Sequence, residues 1–358
     1  FSSYPTNKTN ITAMKLSIGA LSFFLASGAN SIANSQQLMS TESSSDACGG
    51  ALDQARHLDM PAATSVTKGE VEHLEFWSNN GQLLRNAWKE YEGVLGNTID
   101  DDSSGETGLP PKCIHPALAT AVNRTWDSPN LKNEEIVRSL WKEAEGSQGE
   151  LYTTQLLTEE GIQWIRQELN KVSNSGIPTR RPNGMNRYGI ILDDTVDGAA
   201  TLSTLTIFCN KLVDDYVRPI GRMLFPDSIG HGDDFETYPF TIRYKLGEDV
   251  KLNEHRDASV VTININLNLP GEDYGGSSLY FVDSVDPSLR HNVTFSPGMA
   301  IVHRGALRHA ALPIEAGERC NLVIWLFGEG GHVRIAPYSA KEQLSVTERW
   351  SKQKKLLF

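Results

Sequence analysis

The segment LNEHRDASVV, residues 252–261, places His255 two positions before Asp257. In extended backbone, side chains at i and i+2 share a face, so an imidazole and a carboxylate there converge on one cation. Further along, SPGMAIVHRGALRHAALPIEAGERCNLVIWLF, residues 296–327, supplies His303 and His309 as candidate second imidazoles, and then Arg319. Two imidazoles and one carboxylate on one face of an octahedron leave three positions open. That arrangement suits Fe(II), with room for a bidentate 2-oxo acid and O2. The same donors suit catalytic zinc, and an isolated H-x-D is commonly a surface histidine beside an aspartate. Arg319 adds to the iron reading. It opens an apolar strand, a buried arginine needs an anion, and its planar fork matches a carboxylate. A salt bridge to a protein acid is the alternative.

These residues need strands to carry them. After residue 237 the sequence turns to short runs, alternating or continuously β-branched, at 240–244, 260–269, 278–282, 292–295, 299–303 and 321–327. Turn signals such as Pro270-Gly271, Gly275-Gly276, Pro297-Gly298 and Ala316-Gly317 separate them. Many short strands at this spacing predict a sandwich or jelly roll. Upstream, helical periodicity dominates. Leu84, Trp88, Tyr91 and Leu95 share a face, with Gly96 as a stop. Asn133 is expected to cap a helix whose face is Ile136, Val137, Leu140, Trp141 and Ala144. Thr158-Glu159-Glu160 opens another, with Ile162, Ile165, Leu169 and Val172 inward. A longer helix carries Leu205, Phe208, Leu212, Tyr216 and Ile220. Residues 34–50 and the acidic stretch 97–112 read as flexible segments.

Lys and Arg total 33 against 44 Asp and Glu, a net charge of −11 in a chain that is 39% hydrophobic. This is the composition of an ordinary globular protein, and the acidic balance disfavours nucleic acid as a partner. It fits a basic substrate weakly; plain solubilising charge explains it as well. Residues 14–33 follow the order of a secretory signal peptide: a lysine, a short apolar core and a small-residue exit. The core, residues 16–29, is too short to cross ~30 Å of hydrocarbon. The expectation is a lumenal or secreted protein without a membrane span, glycosylated at the sequons of Asn123 or Asn292. Those of Asn7 and Asn10 precede the signal. Cys48 and Cys113 are expected to pair in that compartment, and Cys209 and Cys320 to be buried thiols.

Several segments carry a resemblance. Residues 237–327 resemble the catalytic core of the prolyl and lysyl hydroxylase branch of the 2-oxoglutarate/Fe(II) dioxygenases, and HRDASVVTININLN resembles the first-ligand strand of the procollagen lysyl hydroxylases. With RPNGMNRYGIILDD, FTIRYKLGEDVKLNEHRD, YGGSSLYF and GMAIVHRGALRHAALPIEAGERCNLVIWL, the chain is similar to the smaller 2-oxoglutarate and iron-dependent oxygenase domain-containing proteins of animals and plants, over roughly residues 150–335. The resemblance implies an α+β fold with a double-stranded β-helix (jelly-roll) core, supporting helices and an N-terminal helical region. The expected organisation is an upstream segment and signal peptide (1–33), a helical region (34–150), the dioxygenase domain (151–340) and a tail (341–358).

The resemblance also implies roles. His255, Asp257 and His309 match the metal ligands, because that family sets its 2-oxoglutarate-binding basic residue, here Arg319, just downstream of the distal histidine. His303 is then a polar residue at a strand end. Tyr244 matches a co-substrate-facing tyrosine, and Asn321, on Arg319's face of its strand, is expected to line the pocket. Asn183, Asn186, Arg187 and Tyr188 match an N-x-x-N-x-Y-like element that touches substrate or braces the barrel. One departure is Ala310, where the family commonly has glycine; it adds a methyl and should not remove ligation. Fe(II), 2-oxoglutarate, O2 and, as in that branch, ascorbate are the implied factors. A peptidyl prolyl or lysyl side chain is the implied substrate. A small molecule, a catalytically inactive binding module and a zinc protein are the alternatives.

Overall fold

A computed structural model of the chain describes residues 50–61, 74–95, 109–110, 112–127, 131–183, 185–196, 199–229, 237–327, 332–334 and 343–345. The expected signal segment, Cys48 and the acidic stretch 97–108 lie outside the described residues. In chain order the helices are α1 (Ala51–Ala55), α2 (Leu74–Leu95), α3 (Pro116–Asp127), α4 (Leu131–Leu140), α5 (Glu159–Ser175), α6 (Ser203–Leu212) and α7 (Arg218–Leu224). The strands are β1 (Lys142–Glu143), β2 (Leu151–Gln155), β3 (Thr195–Val196), β4 (Ala199–Ala200), β5 (Thr237–Lys245), β6 (Leu252–His255), β7 (Val261–Asn266), β8 (Gly275–Gly276), β9 (Leu279–Val282), β10 (Arg290–Val293), β11 (Met299–Arg304), β12 (His309–Ala311), β13 (Ile314–Ala316), β14 (Glu318–Leu326), β15 (His332–Arg334) and β16 (Gln343–Ser345).

Two antiparallel sheets form the jelly-roll core, so the fold is α+β. The larger runs β1-β2-β11-β7-β14-β5 and the smaller β10-β9-β12-β6. Phe240, Val323 and Trp325 from the larger sheet meet Leu279, Phe281 and Ala311 from the smaller in one interior cluster. The larger sheet is buried on both faces, and its sequence shows why. On β14, Leu322, Ile324 and Leu326 point outward and pack with Leu205 and Phe208 of α6 and with Ile162 and Ile165 of α5. The intervening Val323 and Trp325 point inward. On β7 the outward set is Val261, Ile263 and Ile265, while Thr262 and Asn264 face the interior cavity. Alternate side chains of a strand take opposite faces, and a large apolar side chain fully buried contributes roughly 1.5–3 kcal/mol.

Helix boundaries follow the sequence at some places and depart from it at others. Thr158 caps α5, its Oγ1 accepting from Gly161 N at 3.0 Å. The long helix around Leu205–Ile220 exists, but Val213–Val217 widens to a π turn just before Pro219. Proline has no N–H, which displaces the hydrogen-bonding register around it. Asn133 does not cap α4; it lies inside it. Ile136 is exposed, and Trp141 and Ala144 fall beyond the helix end. The hairpin that follows claims this segment, with Ala144 N donating to Leu151 O.

Among the described residues, the helical N-terminal region shares its core with the rest of the chain. Leu52, Trp77, Leu84, Trp88 and Tyr91 share one cluster with α5, α6 and the outer face of the larger sheet, and that sheet already begins at Lys142. At the other end, β16 pairs with β15 across the 340/341 boundary. Cys113 is a buried thiol, and Cys48, expected as its partner, lies outside the described residues. Cys113 sits under the first turn of α5, where its carbonyl accepts from Thr158 N, and burial pushes its pKa up to about 12. Cys209 is buried, and Cys320 is a half-buried thiol. Asn292 is exposed on the edge strand β10. No described helix is long and apolar enough to cross a membrane.

Candidate active site

His255 ends β6 and His309 begins β12, and the antiparallel pairing of these strands makes them direct partners. Their rings stand 4.3 Å apart. Asp257 follows two residues after His255. Its Oδ1 lies 3.5 Å from His255 Nε2 and 3.8 Å from His309 Nε2. Among the described residues, His255, Asp257 and His309 are the group whose donor atoms gather closely enough to hold one metal ion. All three are buried.

Backbone carbonyls set the tautomers. His255 Nδ1 lies 2.8 Å from Asn253 O, His309 Nδ1 3.0 Å from Leu307 O, and His303 Nδ1 3.0 Å from Arg304 O. A carbonyl only accepts, so each Nδ1 carries a proton, and a ring in its neutral form turns an unprotonated Nε2 inward. Holding a ligating histidine by its far nitrogen fixes both tautomer and ring orientation. Burial pushes His309 down to about 3, with His255's charge adding to the effect; its Nε2 lone pair is free at neutral pH. Burial alone would raise Asp257, but His309, His255 and His303 together hold it far below the usual carboxylate range. For His255 burial works downward, and the hydrogen bond with Asp257 overcomes it, so the net shift is upward.

His303 is more than a polar residue at a strand end. It is 1% exposed, its Nε2 is 3.7 Å from Asp257 Oδ2, and its ring stands 4.7 Å from that of His309. Ala310 is buried beside it on β12, paired with Tyr280.

Arg319 lies in the same cavity and is 1% exposed. Its guanidinium faces the Tyr244 ring at 4.7 Å and the Phe295 ring at 5.4 Å. None of its three nitrogens has a hydrogen-bond partner among the described residues, and no described acid pairs with it. Burial presses its pKa below the ordinary arginine value. The protein-acid alternative raised by the sequence therefore has no residue to fill it among the described residues. A desolvated guanidinium with every donor unspent fits an anionic ligand, above all a carboxylate that takes two parallel hydrogen bonds.

The other expected residues divide. Tyr244 lines the cavity and pairs with Arg319 across β5 and β14; its hydroxyl accepts from Asn186 Nδ2 at 3.2 Å. Asn183 and Asn186 line the cavity too. Arg187 and Tyr188 do not; their backbone N–H groups anchor on Asp249. Asn321 is not among the lining residues, because its amide is spent on Asn264 at 2.6 Å and on Asn266 at 3.4 Å.

Four residues escaped the sequence reading. Thr262 and Ser259 bond in series to Asp257, and the only signal was a polar residue recurring on an otherwise apolar strand. Tyr274 has a buried hydroxyl without a hydrogen bond among the described residues, and Arg319's charge acts on it. Gly305 accepts from Asp257 N at 3.0 Å, and a Cβ there would lie 1.9 Å from Ser259 O. That contact is backbone, so it cannot swing aside. Gly305→Ala is expected to cost about 1–3 kcal/mol and to displace Asp257. Thermal unfolding and metal content of the variant measure both; wild-type values would show that the loop yields freely.

Comparison with known proteins agrees with this geometry. Residues 109–230 match the OGFOD2-like domain model, a stretch that ends before the His/Asp group. Over 184 residues the chain is 33% identical to 2-oxoglutarate and iron-dependent oxygenase domain-containing protein 2 of Xenopus tropicalis, covering 50% of each. It is 36% identical over 115 residues to procollagen-lysine,2-oxoglutarate 5-dioxygenase 1 of Rattus norvegicus, covering 31% of this chain and 15% of that one. The chain thus spans about half the length of the first of these relatives and far less of the second. A Pseudomonas putida prolyl-4-hydroxylase structure superposes with a TM-score of 0.37 at 18% identity, covering 60% of this chain and 100% of that one. Residues 109–230 are thus similar to the OGFOD2-like domain, and about half of the chain is similar to the 2-oxoglutarate and iron-dependent oxygenase domain-containing proteins.

Proposed function

We propose that this chain is an Fe(II)- and 2-oxoglutarate-dependent oxygenase that hydroxylates a peptidyl prolyl or lysyl side chain. The observation that carries the reading is Arg319: a buried cation without a described anion, in the same cavity as two imidazoles and a carboxylate. His255, Asp257 and His309 would hold the iron. Bound there with 2-oxoglutarate, it supplies the O2 activation that ends in succinate, CO2 and a hydroxylated product.

The chain's own residues do the rest. Arg319, with Tyr244 and Tyr274 beside it, fixes the far carboxylate of the co-substrate. The Nδ1–carbonyl bonds of His255 and His309 fix the tautomer that turns each Nε2 toward the metal. Phe240, Trp325 and Val323 give the cavity an apolar wall that keeps water from the reacting centre. Asn183 and Asn186 line the cavity as well, with Asn186 bracing the Tyr244 hydroxyl. The procollagen-lysine and prolyl hydroxylase relatives support a protein substrate.

Succinate release by iron-loaded protein, screened across proline- and lysine-containing peptide pools, tests this. The expected result is peptide-stimulated succinate formation with one oxygen added to the peptide. Protein that takes up neither iron nor 2-oxoglutarate would refute the reading.

A further inference from the structure

Asp257 offers two oxygens, and the fold treats them differently. Oδ1 faces His255 and His309. Oδ2 turns the other way and accepts a 2.5 Å hydrogen bond from Thr262 Oγ1, which in turn lies 2.6 Å from Ser259 Oγ. Chemistry sets the direction of this relay. An ionised carboxylate has no proton to give, so Thr262 spends its one hydrogen on Asp257 and accepts from Ser259. Asp257, Thr262 and Ser259 are 4%, 1% and 0% exposed, so water does not compete. His303 also faces Oδ2, at 3.7 Å, but that distance is beyond a hydrogen bond and its proton is on the far nitrogen. Thr262 is the donor that holds Oδ2 among the described residues.

We infer that Thr262 and Ser259 are positioning residues that hold Oδ2 of Asp257 out of the metal site and reserve Oδ1 for the metal. This rests on the metal reading above. A carboxylate can bind a cation through one oxygen or both. One that turned both inward would occupy a position that a bidentate co-substrate and O2 require. The relay prevents that turn, and the loop around it is stiff: Asp257 N donates to Gly305 O, and Gly305 N to Val260 O.

The test uses the full chain loaded with Co(II), whose visible absorption reports the ligand set. Thr262→Val keeps the branched shape and removes the proton; Thr262→Ser restores it; Ser259→Ala breaks only the outer link. Three quantities are read: the Co(II) absorption, Co(II) affinity by chelator competition, and thermal unfolding of the metal-free protein. Thr262→Val is expected to alter the absorption and weaken Co(II) about 10–100-fold, the usual cost of losing an outer-shell partner. Thr262→Ser should recover both, and Ser259→Ala should fall between. Wild-type protein that takes no Co(II) would sink the metal reading itself. Wild-type absorption and affinity in a folded Thr262→Val protein would overturn this inference alone. Should Thr262→Val fail to fold, Ser259→Ala decides on the same readouts, an unchanged spectrum and affinity overturning it.

Discussion

Arg319→Met is expected to raise the 2-oxoglutarate requirement by roughly a hundredfold or more, while iron content stays near that of the wild type. A carboxylate entering the cavity loses its water, and the guanidinium is the charge placed to meet it. Removing one partner of a buried ion pair costs on the order of 3–5 kcal/mol, which converts to that loss of affinity. Arg319→Lys should lie between, since an ammonium keeps the charge and loses the fork. The iron ligands sit on and beside β6 and β12, and Arg319 on β14, so metal binding should hardly change. A second expectation separates co-substrate binding from a structural role. In the protein without 2-oxoglutarate, Arg319 is a buried cation without a described anion. Replacing a buried charge by an apolar side chain of similar length is then neutral or stabilising. The thermal midpoint of Arg319→Met should hold or rise. A marked fall in the midpoint with unchanged 2-oxoglutarate dependence would make the arginine structural and remove the main support for this enzyme class.

His309→Ala is expected to abolish turnover and strip the iron, a loss larger than the ~10–100-fold typical of outer-shell changes. His303→Ala should keep iron. The two imidazoles sit within 4.7 Å of each other, so the comparison is demanding. It turns on the oxygen each one faces. His309 shares Oδ1 of Asp257 with His255, whereas His303 faces Oδ2, already held by Thr262. Metal analysis after anaerobic reconstitution, alongside succinate formation, measures both variants. The assignment fails if His303→Ala loses iron while His309→Ala keeps it.

Some of this was legible in the chain itself. The spacing of His255 and Asp257 requires that they share a face wherever the backbone is extended. The continuous apolar run Leu322–Leu326 of β14 announces a sheet covered on both faces, because burial on each side demands it. The Thr158 cap and the face of α5 follow from hydrogen bonds within a few residues. In all these cases the cause lies within one turn or one strand.

What the sequence left open depends on strand register between distant segments. His255 meets His309 because β6 pairs with β12 at that residue; a slip by one would turn every side chain of the strand to the other face. Register likewise sets His303 opposite Thr262 on β11 and β7, which brings a third imidazole to Asp257. Asn321 shares Arg319's face as the pattern required, yet the neighbouring strand presents Asn264 and Asn266, and their amides take it out of the cavity. Arg319 is the clearest case. Its residue type demanded an anion, but whether the protein supplied one could be learned only from the side chains that surround it. Tyr244, Phe295 and Tyr274 surround it, and none of them carries a carboxylate.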